Sequence, residues 1–194
     1  MTVYLPDRPP ARQTWKAIAA SNVLNPAFGG DELELQRKGS KYEFAYDYGE
    51  MDYLEGLDWS DLGVEGETVV APIFQPGLDT GEPGAPVVNG VGQIGRYLRL
   101  RGMVAGYIIR KGQFLTVFDS GIRHFTYRAS DRVTVAADGT VIVPLYTLLR
   151  RPHAEASVVK IKKPVIEGYP REVSDMEVSD NHNVSVSFKV RERG

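Results

Sequence analysis

From Arg96 to Lys162 the chain repeats one device: a short β-branched or aromatic run, then glycine, aspartate or serine. The runs are Arg96–Arg101, Tyr107–Ile109, Gln113–Phe118, Ile122–Arg128, Arg132–Val135, Thr140–Val143 and Ser157–Lys162. Gly102, Gly112, Gly121 and Asp138–Gly139 stand between them. Runs of this composition, bounded by turn formers, signal short antiparallel strands. They restrict the chain to a compact β barrel or sandwich, and no catalytic grouping punctuates them.

With 194 residues, 42% of them hydrophobic, the chain can bury one core or two small ones. Its formal net charge of −2 argues against a general nucleic-acid binder. It has no cysteine, which excludes disulfides, thiolate chemistry and Cys-based zinc sites. Met1–Pro10 lacks the apolar stretch of a signal peptide. No segment approaches the roughly 20 apolar residues of a membrane helix. A soluble protein made in a cytoplasm is expected, with no membrane or nucleic-acid partner.

Charge is segregated. Residues 28–67 hold twelve acidic side chains against three basic, a balance of −9. Residues 96–163 hold thirteen basic against four acidic, a balance of +9. Both stretches fit ordinary solvated strand faces. They also fit a bipolar subunit whose acidic side meets the basic side of the next copy. Such head-to-tail contacts close into rings when the rotation permits, and complementary potentials set register more than affinity.

The remaining segments predict a second β unit. Residues 1–12 are proline-rich and extended, and Thr14–Ala20 is a short helix or a strand. Glu32–Gln36 and Lys41–Tyr46 alternate with period two about Lys38-Gly39-Ser40, which predicts a hairpin. Met51, Leu54, Leu57 and Leu62, with Tyr53 and Trp59, predict a short amphipathic helix on the sheet, stopped by Gly63 and Gly66. Thr68–Ile73 begins another strand. Three prolines and six glycines between Gln75 and Gly95 predict a loop that cannot hold a regular ladder. Asn183–Val190 alternates again and should pair back into the first sheet, since unpaired strands are liabilities. The fold expected is mainly β: an antiparallel β-sandwich with one short helix and an inserted small β-barrel-like domain. The sandwich takes residues 1–91 and 166–194, and the insert takes 92–165.

Several chemistries find little support. Gly90-Val-Gly-Gln-Ile-Gly95 spells the dinucleotide fingerprint, but a proline/glycine loop precedes it and a β-like run comes after it, where a strand and a helix are needed. His124, His153 and His182 have no metal-ligand spacing, and Asp180-Asn-His-Asn183 reads as a turn, not a calcium loop. The carboxylates Asp47 to Glu67 fit a solvated helix face better than a glycosidase pair. Tyr42, Phe44, Tyr46 and Tyr48 share one strand face, which reads as the core side. Serines occur without a nucleophile elbow. No catalytic residue, cofactor or metal site is expected, and the chain does not read as an enzyme.

One series of motifs has a familiar order. It runs Gly84-Ala-Pro-Val-Val-Asn-Gly90, Leu98-Arg-Leu-Arg-Gly102, Gly112-Gln-Phe-Leu-Thr-Val117, Val141-Ile-Val-Pro-Leu145 with Leu149-Arg150, and Lys163-Pro-Val-Ile-Glu-Gly168. Phe28-Gly29-Gly30 and Glu67-Thr68-Val69 fit the same pattern. Over about residues 28–168 the chain resembles distal-tail and tail-tip proteins of long-tailed bacteriophages. The resemblance rests on turns and strands and not on a catalytic signature. It implies a structural virion protein, made in the host cytoplasm, forming a hexameric β-sandwich ring between tail tube and tip or baseplate hub. It further implies that the insert is an outer domain of the kind that holds fibres or touches host carbohydrate. No site residue carries over, because that family's role is distributed contact.

The partners expected are further copies of this chain, a tube protein, and hub, tip or fibre proteins. Arg96, Arg99, Arg101, Arg150 and Arg151 are the basic interface candidates. Asp52, Glu55, Asp58 and Asp61 are their acidic counterparts. The alternative is a carbohydrate-binding module in which Tyr107, Phe125, Tyr127 or Tyr146 stacks a sugar. A hydrolase using the 47–67 carboxylates is a third reading.

Overall fold

The computed structural model describes residues 2–24, 29–31, 33–63, 67–78, 80–119 and 123–193, with backbone alone at 23–24, 33–36, 61 and 63. The chain begins with β1 (Thr2–Tyr4), β2 (Arg12–Ile18), β3 (Ser21–Leu24), β4 (Leu33–Gln36) and β5 (Lys41–Asp52). A short helix α1 (Tyr53–Leu57) and a 3-10 turn (Ser60–Gly63) lead to β6 (Thr68–Pro72) and β7 (Gly84–Val88). Next come β8 (Tyr97–Met103), β9 (Ile108–Ile109), β10 (Phe114–Asp119), β11 (Arg123–Arg128), β12 (Val133–Thr134) and β13 (Val141–Pro144). The last strands are β14 (Val158–Lys160), β15 (Val165–Arg171) and β16 (Asn183–Glu192).

Among the described residues two six-stranded sheets form, with the small pairs β3–β4 and β9–β12 beside them, which is the mainly β, sandwich-like architecture expected. The first runs β1-β6-β15-β16-β5-β2, antiparallel except for the β1–β6 pair. The second runs β11-β10-β14-β7-β8-β13 and is drawn wholly from residues 84–160, between the neighbouring strands β6 and β15 of the first. It curls until its two outer strands meet: Ala129 bridges Leu145, Ser130 N–H donates to Pro144 O at 2.9 Å, and Tyr146 N–H donates to Arg128 O at 3.0 Å. The C-terminal strand pairs as expected and becomes an interior strand between β15 and β5.

Period-two patterning builds both cores. Tyr42, Phe44, Tyr46 and Tyr48 of β5 face one side and meet Val184, Val186, Phe188 and Val190 of β16. Trp59 and Leu62 close that core, with the Trp59 ring 4.2 Å from Tyr48. Each fully buried apolar side chain of this size contributes about 1.5–3 kcal/mol. Leu98, Leu100, Leu115, Val117, Phe125, Tyr127, Val143 and Val159 fill the curled sheet. Phe114 at the start of β10 plugs instead into the first core, 5.4 Å from Tyr42 and 5.2 Å from Phe44.

Four local expectations change. Glu32–Gln36 and Lys41–Tyr46 do not pair with each other: β4 pairs with β3, and β5 with β2 and β16. β2–β3 and β4–β5 form one long ribbon, in which residues 19–20 face residues 37–40. The Lys38-Gly39-Ser40 turn is thus a bulge inside the ribbon, where Arg37 N–H donates to Ala20 O at 2.7 Å and Ala20 N–H to Ser40 Oγ at 3.2 Å.

The expected helix shrinks to α1 and the 3-10 turn. Met51 ends in β5, and Leu54 is 78% exposed. The residue α1 buries is Gly56, packed where a Cβ would run into Val184. Within the proline/glycine segment, β7 is a central strand between β14 and β8 and lies before the expected boundary at 91/92. Pro86 is accommodated because the ladder shifts register between Gly84 and Val87. Gly84 (φ +85°) and Gly102 (φ +78°) let the backbones close in, a Cβ on Gly102 falling 2.6 Å from Ala85 O. The extended N-terminus, finally, contributes β1 to the first sheet.

Gly168 sits in β15 where a Cβ would meet the Arg191 carbonyl of β16. Backbone cannot yield as a flexible side chain does. Gly168→Ala should therefore lower unfolding stability by about 2 kcal/mol or more, read from the urea midpoint.

Candidate interaction surface and the ionic layer behind it

Strand β11 is the outer strand of the curled sheet and packs along β15 of the first. An outer strand buried there presents N–H groups that the ladder leaves unpaired. Carboxylates from the other sheet take them. His124 N–H donates to Glu167 Oε2 at 2.9 Å, and Thr126 N–H donates to Glu192 Oε1 at 2.8 Å. Glu192 Oε2 also accepts from Tyr42 N–H at 3.1 Å. The Thr116 and Thr126 hydroxyls donate to Val165 O at 2.7 and 3.0 Å, completing the seam.

Each carboxylate has a basic partner. Glu167 Oε2 lies 2.9 Å from His124 Nδ1, with both side chains 2% exposed. Burial opposes the Glu167 charge, but the His124 hydrogen bonds outweigh it and hold the pKa below the usual range. Glu192 pairs with Arg150, whose Nη2 also donates to Thr126 O at 2.7 Å. Burial works against the guanidinium, yet Glu192 and then Tyr127 prevail, and its pKa is raised.

A second buried line holds residues 153–157. Asp119 accepts from Ala154 N–H at 3.2 Å and Ser157 Oγ at 3.1 Å, and lies 3.4 Å from His153 Nδ1. His153 Nε2 lies 2.8 Å from the Tyr127 hydroxyl. Burial pushes the Tyr127 pKa up and the His153 pKa down. Asp, His and Tyr in a row resemble a proton relay, but all three are inside the core. The line fastens a loop to β10 and β11.

The other chemical candidates resolve by position. A strand, β7, does precede Gly90–Gly95, which corrects the loop expected there. The next element after these glycines is β8, so no helix N-terminus faces a pyrophosphate. His124 is an enclosed strand residue and His182 sits in a turn at φ +60°. Among the described residues no three His, Asp or Glu side chains gather to hold a metal ion.

The interface candidates divide. Arg96, Arg99 and Arg101 are exposed at or on β8. Arg99 pairs across the sheet with the half-exposed Ile142, and Arg101 Nη2 lies 2.9 Å from Glu155. Arg151 is exposed, with its Nε 3.3 Å from Asp119. Arg150 is the correction: it is buried in the ionic layer, where Glu192 of its own chain neutralises it. Asp52, Glu55 and Asp58 are exposed around α1, with Glu55 paired to Arg8. The Asp61 side chain lies outside the described residues. Of the proposed sugar platforms, Phe125 and Tyr127 are core residues, and Tyr107 is partly covered and donates to Thr80 O at 2.8 Å. Only Tyr146 of these four stands exposed.

Tyr146 belongs to a cluster that sequence reasoning missed. The Arg128 guanidinium lies 4.2 Å from the Trp15 ring centroid, 4.9 Å from Tyr146 and 5.6 Å from Phe114. Its Nε donates to Gly112 O at 3.0 Å, which fixes the fork in place. Cation–π contacts of this kind contribute about 0.5–1 kcal/mol each at exposed sites. Two cavities flank Trp15 and Arg128. One of about 730 Å³ is bordered by Pro9, Pro10, Phe74 and Gln75. The other, of about 330 Å³, is bordered by Ala17, Ala20, Arg37, Arg96 and Tyr146. The one available signal was Trp15 itself, a large aromatic in a segment bearing Arg12 and Lys16.

No protein-family model matches the chain, and no curated protein matches it either.

The buried charges make two outcomes testable. Glu192→Ala should cost about 3–5 kcal/mol, because it strands Arg150 and leaves two N–H groups without an acceptor. Glu192→Gln, which keeps an acceptor oxygen, should cost less by urea denaturation. For His153, the folded pKa lies below the ordinary 6.5, so the unfolded chain binds the proton first. Its contribution is complete above about pH 6.5 and is lost as pH falls below that. Tm should therefore drop between about pH 7 and pH 5, and His153→Gln should flatten that drop. Asp119 and Glu167, whose pKa values are lowered, keep their full contribution above their ordinary 3.8 and 4.5 and lose it only as pH falls further, outside this window.

Proposed function

We propose that the chain is a structural protein of a long-tailed phage virion. It assembles as a ring, hexameric as in the distal-tail proteins it resembles, between tail tube and tip or baseplate hub. Its partners are further copies of itself, the tube protein, and hub or fibre proteins, and its work is contact, without turnover. The observation that carries this reading is the placement of surface charge. Arg96, Arg99 and Arg101 stand outward at the curled sheet, while Asp52, Glu55 and Asp58 stand outward around α1 beside the first sheet. A head-to-tail ring uses two different patches of opposite sign on one subunit.

A carbohydrate-binding module is the second reading, favoured by the exposed Trp15 and Tyr146 rings about Arg128. Aromatic faces of this kind stack sugars.

Native mass spectrometry and negative-stain imaging of the purified chain should show ring-sized oligomers. Arg99→Glu with Arg101→Glu should leave a folded monomer of unchanged circular dichroism, since both side chains are exposed. Wild-type protein that stays monomeric at every concentration, or a double variant that still assembles, would count against the charge-paired ring.

A further inference from the structure

The knob on α1 and the groove beside Trp15 have matching chemistry. Leu54 is 78% exposed, and Tyr53 and Leu57 are each 43% exposed, three apolar side chains on one five-residue helix. Scattered apolar residues on a surface need no explanation, but a contiguous group rimmed by charge marks an interaction site. The rim here is acidic through Asp52 and Asp58, with Glu55 already paired to Arg8 of its own chain. The groove of about 330 Å³ has an apolar floor from Trp15, Ala17, Tyr42 and Leu148, and a rim of Arg37, Arg96 and Arg128. Its volume lies at the lower end of ligand pockets, which run from about 300 to 1,000 Å³. That suits a small knob better than a long chain. Arginine, with its planar fork, is the basic residue best matched to carboxylates.

We propose that α1 of one copy seats in the arginine-rimmed groove beside Trp15 of the next copy. This rests on the ring reading and names one contact within it, with Arg96 common to the groove rim and to the outward basic residues of the curled sheet. Leu54 enters the apolar floor, while Asp52 and Asp58 meet Arg37, Arg96 and Arg128. The two patches lie on different parts of one surface, so the contact is heterologous. Each copy keeps one knob and one groove open until the ring closes. A second copy is favoured over a sugar because both halves of the match are present on this chain, with apolar centres and rims of opposite sign.

The absence of cysteine makes the test direct. Leu54→Cys and Ala17→Cys proteins, purified separately, should form a disulfide-linked dimer when mixed under mild oxidation. Leu54→Cys mixed with Val104→Cys, also on the surface, should not. Leu54→Asp should fold normally and weaken assembly at least about tenfold. Oligomers that persist in Leu54→Asp, with no cross-link from the mixed pair, would overturn this contact and leave the ring standing. A wild-type chain that is always monomeric would remove both. A monomer that binds glycans in an array, and loses them on Trp15→Ala, would assign the groove to carbohydrate and overturn the contact.

Discussion

The edge of β11 sets the terms for everything around it. A strand with one side unpaired, pressed against a second sheet, must find acceptors for its N–H groups. Each one left unsatisfied costs about 1–3 kcal/mol. Glu167 and Glu192 supply the acceptors from β15 and β16. Two buried carboxylates are themselves costly unless each meets a cation or a donor. His124 and Arg150 meet that need, and both come from the curled sheet's side of the joint. The two halves of the protein are therefore complementary there, and neither satisfies its own polar groups without the other. Phe114, inserted from β10 among Tyr42, Phe44 and Trp15, adds an apolar pin to the same joint.

Much of this architecture was legible because glycine and β-branched residues alternate so regularly. The strands from β8 to β14 fall where the runs do, and the aromatic face of β5 follows from spacing alone. Misreadings arose where a local signal met a stronger distant one. Lys38-Gly39-Ser40 has the composition of a hairpin turn, but pairing of β5 with β2 and β16 makes it a bulge. Pro86 argued against a strand, yet a register shift in the β7–β8 ladder admits it. The apolar spacing from Met51 to Leu62 suggested one helical face, whereas Met51 is a strand residue and Leu54 points to solvent.

The charged residues divide along the same line. Outward charge on Arg99, Arg101, Asp52 and Asp58 follows from their places in polar-alternating or helical segments. The pairing of Arg150 with Glu192 spans 42 positions, and that of His124 with Glu167 spans 43. No periodicity reports a partner that far away. Arg128 and Trp15 meet only because the curled sheet's end reaches β2, so their cluster had no sequence signature beyond an aromatic in an otherwise polar strand. Of the basic residues singled out in the sequence, Arg150 is neutralised inside the chain, while Arg96, Arg99 and Arg101 stay on the surface.

The order of the strands along the chain has a consequence for synthesis. The curled sheet needs only residues 84–160, so all its strands have left the ribosome while the first sheet still lacks β15 and β16. Until Glu192 emerges, the Thr126 N–H and the Arg150 guanidinium have no carboxylate to receive them. At that stage the nascent chain carries the curled sheet with Arg150 bare along its seam, and β16, translated after it, brings the carboxylate that seals it.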